Sequence, residues 1–380
     1  MIASLTKNSG LSLLAMFALL ALNACSPAPQ AEDNESAFEF DLNAVLGGDD
    51  TDGFLRADAP RVFSFPQDHG MHPGFRNEWW YLTGNLETNN GQRFGYQVTF
   101  FSTSFAHDTQ NSIDGWQSPR IWMAHAALTD VANNKHTALE RFSRENPGLA
   151  GAQLDPFKVW LENWSLSSAT NEFPWSLSLE DAAFKLKLTL NPLKEPVLQG
   201  NNGLSQKSQE LGNASYYYSL TRLQSSGEIF LDGARYQVTG QSWLDREWST
   251  SALADDQSGW DWFSLQFNDG QELMYYQLRD KEGNAHPNSD GNWTDIDAQQ
   301  ISVSADDIVL LENENWLSPS GISYTTEWTI QYAGQQWIVR ALVNDQLMDL
   351  SVPYWEGAVE ILDAGNLDPL GQGYLEMVRN

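Results

Sequence analysis

The chain has 380 residues, with 50 Asp and Glu against 21 Lys and Arg and a formal net charge of −29. That excess of acid disfavours nucleic acid and anionic lipid headgroups as partners, because both require a phosphate-neutralising basic patch, and it is otherwise what solubility demands. Cys25 is the one cysteine, so once it is modified the rest of the chain has no disulfide, thiol nucleophile or cysteine metal site.

Residues 1–24 read as an export signal, in which Lys7 precedes an almost wholly apolar run over residues 11–22. A dozen or so residues cannot cross a hydrocarbon core that needs about 20 helical residues. The run ends in Leu22-Asn23-Ala24-Cys25, which resembles the lipobox of bacterial lipoproteins. Cleavage before Cys25, acylation of Cys25 and membrane attachment through its acyl chains follow as expectations. They place the protein in the cell envelope facing the periplasm, and Ser26 rather than Asp after the cysteine points to the outer membrane. Residues 25–52 carry Ser26-Pro27-Ala28-Pro29 and Gly47-Gly48-Asp49-Asp50 and read as a flexible acidic linker.

Beyond the linker the dominant period is two. Phe94, Tyr96, Val98 and Phe100 share a face, and residues 184–190 alternate apolar and polar side chains; both patterns predict half-buried antiparallel strands. Asn89-Asn90-Gly91, Asn268-Asp269-Gly270 and Ala333-Gly334 supply hairpin turns. No long capped amphipathic helix stands out, so the class is all-β, built of barrels or sandwiches. The polar stretch over residues 200–213 divides the chain into an N-terminal domain, 53–213, and a C-terminal domain, 214–380.

Several blocks are similar to one lipocalin-like family. These are Phe65-Pro66-Gln67-Asp68-His69-Gly70, then Phe75-Arg76-Asn77-Glu78-Trp79-Trp80-Tyr81, Met123-Ala124-His125-Ala126, Ser242-Trp243-Leu244-Asp245-Arg246-Glu247-Trp248, Gly259-Trp260-Asp261-Trp262-Phe263, Tyr354-Trp355-Glu356-Gly357 and Gly373-Tyr374-Leu375-Glu376. Together they resemble the secreted family related to carotenoid 1,2-hydratase (hydroxyneurosporene synthase), often labelled predicted secreted hydrolases. The resemblance implies two lipocalin-like, calycin-type antiparallel β-barrel domains in one chain. That family usually has Thr where this chain has Asn77, and often Arg where it has Ser102.

If residues 243–247 are extended, Trp243, Asp245 and Glu247 share one face while Leu244 and Arg246 share the other. Two carboxyls beside an indole inside an aromatic barrel should drive one of them towards its neutral form, a general acid able to protonate an isolated alkene. The alternative is a structural Asp-Arg-Glu network at a barrel end. Asp261, on the face of Phe263 and Leu265, needs a partner or a neutral form, and Glu78 beside Trp79 and Trp80 is a similar case. Trp243, Trp260, Asp261, Trp262, Tyr276, His125, Glu78 and Trp80 are the candidate ligand-binding residues. For His125, which alternates with Met123 and Ala127, a hydrogen-bonded core histidine is the simpler reading, and for Trp79, Trp80 and Arg76 a barrel-closing role is.

His69, His72 and Glu78 lie in a Gly- and Pro-rich loop whose spacing does not argue for zinc, so neither metal nor cofactor is expected. A Gly-x-Ser-x-Gly elbow, a phosphate-binding loop and a dinucleotide fingerprint are all absent from the sequence, and a serine-hydrolase triad finds no motif. Two readings result: a protein binding a long apolar ligand, isoprenoid or acyl lipid, that acts as a hydro-lyase with Asp245 and Glu247 as catalytic groups, or a non-catalytic lipid carrier or envelope chaperone.

Overall fold

The computed structural model describes residues 51–107, 118–250, 254 and 256–379; Cys25, the signal segment and nearly all of the linker lie outside the described residues. The first thirteen strands are β1 (Asn77–Thr88), β2 (Arg93–Ser104), β3 (Arg120–Asp130), β4 (Lys135–Arg144), β5 (Ala150–Gln153), β6 (Lys158–Leu161), β7 (Trp164–Ser167), β8 (Trp175–Glu180), β9 (Phe184–Pro192), β10 (Val197–Leu198), β11 (Leu204–Gln206), β12 (Ala214–Leu231) and β13 (Ala234–Ser249). Ten more follow: β14 (Gln257–Phe267), β15 (Glu272–Asp280), β16 (Asp290–Thr294), β17 (Gln300–Ser304), β18 (Ile308–Leu317), β19 (Ser323–Tyr332), β20 (Gln335–Ala341), β21 (Leu347–Met348), β22 (Tyr354–Asp363) and β23 (Pro369–Arg379). Single 3-10 turns at Gln67–His69 and Val131–Asn133 are the helical segments among the described residues.

Period-two patterning becomes two antiparallel sheets. The first runs β4-β3-β2-β1-β13-β12-β9-β8-β7-β6-β5 and curls until β6 packs on β2, β3 and β4; the second runs β17-β16-β15-β14-β23-β22-β20-β19-β18. Each is a barrel-like domain around its own core. Trp80, Tyr96, Phe100, Trp122, Trp164 and Leu244 are among those filling the first, and Phe263, Trp328, Trp337, Trp355 and Leu375 among those filling the second. The expected hairpins form at residues 89–91, 268–270 and 333–334. At the last, Ala333 and Gly334 have φ of 49° and 78°, the paired left-handed conformation of a two-residue hairpin turn.

The two sheets divide elsewhere than expected. β12 and β13 follow residue 213, yet β13 pairs with β1 and β12 with β9. The chain therefore crosses between sheets after Ser249 and before Gln257, and the polar stretch at 200–213 is only a loop carrying the short β11. Its polarity reflects the surface it crosses, while membership of a sheet is fixed by long-range pairing that local composition does not encode.

Strands of the outer walls alternate cleanly, as β9 does with its buried–exposed pattern from Phe184 to Leu190. By contrast β1, β14, β22 and the second half of β13, residues 242–249, are buried on nearly every residue, because one face fills a barrel and the other packs against the opposite domain. The backbones come close there: a Cβ on Gly95 would lie 2.6 Å from that of Ala358. A third apolar cluster, including Tyr81, Tyr217, Trp243, Trp262, Tyr276 and Tyr374, fills this layer between the sheets.

Candidate active site

The alternation of β13 sends Leu244 and Trp248 into the first barrel and Trp243, Asp245 and Glu247 outward, into the layer between domains. Register places Tyr81 on β1 and Ser219 on β12 beside Asp245, and Tyr217 beside Glu247. From the second sheet, Trp262 on β14 is aligned with Tyr276 on β15 and Glu376 on β23, and Glu376 with Glu356 on β22. Two faces from distant parts of the chain thus assemble one cluster of carboxyls, phenols and indoles. It lies between the barrels, not inside one as the sequence reading had it, because the inward positions of β13 are taken by Leu244, Arg246 and Trp248.

Asp245 is 3% exposed. Its Oδ1 accepts from Ser219 Oγ at 2.5 Å and Trp243 Nε1 at 2.6 Å, and its Oδ2 from Tyr217 Oη at 2.6 Å. Burial pushes its pKa up to about 7; the three donors oppose that rise and the neighbouring Glu247 adds to it. Two of those partners are hydroxyls, which can reverse and accept when the carboxyl carries a proton. Glu376, accepting from Trp260 Nε1 at 2.7 Å, is raised to about 7 by burial; the Trp260 bond opposes this and the charges of Asp245 and Glu247 reinforce it. Glu356, fully buried and bonded by Tyr81 Oη, is driven well above the usual carboxylate range by burial and then by Glu376. Its Oε2 has no hydrogen-bond partner among the described residues.

Glu247 is held by Lys207 Nζ at 3.2 Å, and that ammonium lies 4.3 Å from the centroid of the Tyr276 ring and 5.6 Å from that of Tyr217. Trp262 Nε1 donates to Tyr217 Oη at 3.2 Å, while the Tyr81 and Trp243 rings meet Trp262 edge-on at 5.1 and 6.5 Å. Carboxyls raised in this way can carry a proton near neutrality, and the rings around them present aromatic faces suited to a developing cation.

Six of the residues singled out in the sequence, Trp243, Asp245, Glu247, Trp260, Trp262 and Tyr276, therefore meet in this layer. His125 faces the same layer on β3, but Tyr354 Oη at 2.8 Å and Glu140 Oε1 at 3.1 Å occupy both ring nitrogens, leaving neither for a ligand. Glu78 and Trp80 lie apart from the cluster. Arg246 Nη2 donates to Glu78 at 2.5 Å, its guanidinium lies 3.8 Å from the centroid of the Trp80 ring, and His72 Nδ1 meets Glu78 at 2.7 Å. Burial would raise Glu78, but Arg246 and His72 outweigh it and hold the carboxyl at about 2. The cation over Trp80 is Arg246, not the Arg76 of the sequence reading. Asp261 faces into the second barrel, bonded by Arg279 at 2.7 Å and by Arg379. Glu78 and Asp261 thus find basic partners, where the sequence pattern suggested ligand contacts.

Sequence reasoning passed over Tyr81, Lys207, Tyr217, Ser219, Tyr354, Glu356 and Glu376. A signal existed for the last pairs, since Tyr354 and Glu356, and Tyr374 and Glu376, are two apart and so share a strand face. Among the described residues no group of three or more His, Cys, Asp or Glu side chains is arranged to hold a metal ion. An open hollow of about 400 Å³ edged by Asn85, Glu87, Arg93, Thr239 and Gln372 is polar and does not include the carboxyl cluster.

Fold and site together define a two-domain lipocalin-like β-protein with a packed cluster of carboxyls and aromatic rings between its sheets. The chain belongs to the AttH-like family, whose profile matches residues 56–379; that family is lipocalin-like and related to carotenoid hydratases. A crystal structure described as an AttH from Nitrosomonas europaea shares 34% identity at a TM-score of 0.74, covering 84% of this chain and 98% of its own. Kievitone hydratase from Nectria haematococca has the same fold at 13% identity and a TM-score of 0.66, covering 86% of this chain and 96% of its own. CghA does so at 10% identity and a TM-score of 0.54, over 88% and 96%. A comparison with curated protein sequences finds no match.

Proposed function

We propose that the layer between the barrels binds a long apolar ligand, an isoprenoid or acyl lipid, and adds water to an isolated alkene in it. Asp245 in its carboxylic acid form delivers a proton to one alkene carbon. Trp243, Trp262 and Tyr217 stabilise the resulting cation at the other. Water attacks that carbon as its proton passes to an ionised carboxyl, Glu376, and return of the proton to Asp245 resets the site. Substrate plus water gives an alcohol, with no electrons gained or lost.

The observation that carries this reading is a buried carboxyl poised near neutrality beside a second one and walled by aromatic rings. The name of kievitone hydratase supports the reaction class by analogy of fold alone. A plain lipid carrier would need the aromatic wall but not three carboxyls pushed towards their neutral forms, each at a desolvation cost. Attachment to the envelope through acylated Cys25 is part of the same proposal and rests on the lipobox-like sequence.

Native mass spectrometry identifies the lipid that purifies with the protein. Incubating that lipid with the protein in water carrying a heavy oxygen isotope should then give a product heavier by one labelled water, with Asp245→Asn about 10²-fold slower or worse. Recovery of the lipid unaltered from the wild-type protein would favour the carrier.

A further inference from the structure

Hydration with separate acid and base groups leaves a proton on the wrong carboxyl after each cycle, and Asp245 and Glu356 are buried, at 3% and 0% exposure. A file of hydrogen-bonding groups runs from the rim of the first domain to this layer. Glu140 on β4 retains 17% side-chain exposure and is held by Ser351 Oγ at 2.6 Å. Register sets it beside His125 on β3, whose Nε2 meets its carboxyl at 3.1 Å. Nδ1 of the same ring lies 2.8 Å from Tyr354 Oη, and Tyr354 stands two residues before Glu356 on β22, on the same face of that strand.

We propose that Glu140, His125 and Tyr354 form a proton relay between solvent and Glu356, a proposal that rests on the acid–base reading of the cluster. Each member both donates and accepts. A proton leaving Glu140 enters at Nε2, the proton on Nδ1 moves to Tyr354 Oη, and the Tyr354 proton moves to Glu356. Imidazole and phenol end neutral, and one proton has travelled from Glu140 to Glu356.

Three further observations suit a relay. His125 is fully buried, and burial holds its pKa below the ordinary histidine value, so the ring is the neutral form that switches tautomer. The file is sheathed by apolar side chains, with Ala127, Met348, Val352 and Val378 around Tyr354 and the Phe101 ring 5.3 Å from His125, which keeps water from short-circuiting it. Finally, the inner terminus is open, because Glu356 Oε2 is buried without a hydrogen-bond partner among the described residues. The titratable groups facing Glu356 are Tyr81 from β1, Tyr374 and Glu376 from β23, and Tyr354; those facing His125 are Glu140 and Tyr354. Tyr81, bonded to Glu356 and adjacent to Glu376, carries the connection onward into the cluster. These are positioning residues that touch no substrate.

The test uses the whole protein without substrate. After a pH jump, time-resolved infrared spectroscopy follows the carboxylic C=O band assigned to Glu356 by its loss in Glu356→Gln. His125→Gln keeps a donor and an acceptor but cannot pass a proton between them, so the band should respond about 10²-fold more slowly while its equilibrium midpoint and the melting temperature stay in place. Glu140→Gln at the rim and Tyr354→Phe should slow it likewise, and they carry the test if His125→Gln does not fold. Wild-type rates in these variants would overturn the relay, as would a moved midpoint and melting temperature with an unmoved rate. Because no turnover is measured, either result leaves the acid role of Asp245 to be decided separately.

Discussion

Replacing Asp245 with asparagine separates proton storage from packing. The amide oxygen takes over the bonds from Trp243 and Ser219, and its NH2 group meets Tyr217, whose hydroxyl reverses to accept. No charge is stranded, since Arg246 keeps Glu78 and Glu247 keeps Lys207. The pH-independent cost should therefore stay near that of one imperfect hydrogen bond, about 1 kcal/mol. The carboxyl itself acts in the opposite direction. Its folded-state pKa is raised from 3.8 to about 7, so the unfolded chain releases this proton first as pH rises. Its contribution is fully present below about pH 4 and is lost by about pH 7, on the order of 4 kcal/mol at 1.36 kcal/mol per pH unit. Asp245→Asn escapes that loss, and removing the charge also relieves Glu376. Urea unfolding at about pH 4, 6 and 8 should show the variant slightly less stable than wild type at the acid end and more stable above neutrality. Parallel pH profiles for the two proteins would refute a coupled proton at Asp245.

Tyr217→Phe removes a bond that favours the ionised form of Asp245, so the carboxyl midpoint should move up by about one pH unit, read by infrared titration; an unmoved midpoint would disprove the Tyr217 contribution. Glu78→Gln leaves Arg246 buried without its carboxylate and should destabilise the fold by roughly 3–5 kcal/mol in chemical unfolding, with the cluster titrating as before. Cys25→Ser should abolish acylation and release soluble or uncleaved protein on cell fractionation; wild-type protein recovered entirely as free periplasmic material would count against the anchor.

The all-β class was legible because alternation in residues such as Phe94–Phe100 and Phe184–Leu190 is a local property of the chain. So was the shared face of Trp243, Asp245 and Glu247, since period two fixes it once the strand is assumed. The domain boundary was not. The Asp232-Gly233 turn, with φ of 50° and 81°, announces the β12–β13 hairpin, but nothing local shows that β13 will pair with β1 about 160 residues earlier and so seal the first sheet. The same distance hid the site. Tyr81 and Glu356 are 275 residues apart yet hydrogen-bonded. Glu78 and Asp261 resemble Asp245 as acids beside tryptophans, and only the fold shows that Arg246, Arg279 and Arg379 neutralise the first two while Asp245 meets uncharged donors.

That difference can be measured directly. Infrared titration of the wild-type protein should show a carboxylic C=O band that persists to about pH 7 and is missing from Asp245→Asn. A spectrum in which every carboxyl has ionised by about pH 5, the range of ordinary Asp and Glu, would contradict a stored proton between the two domains.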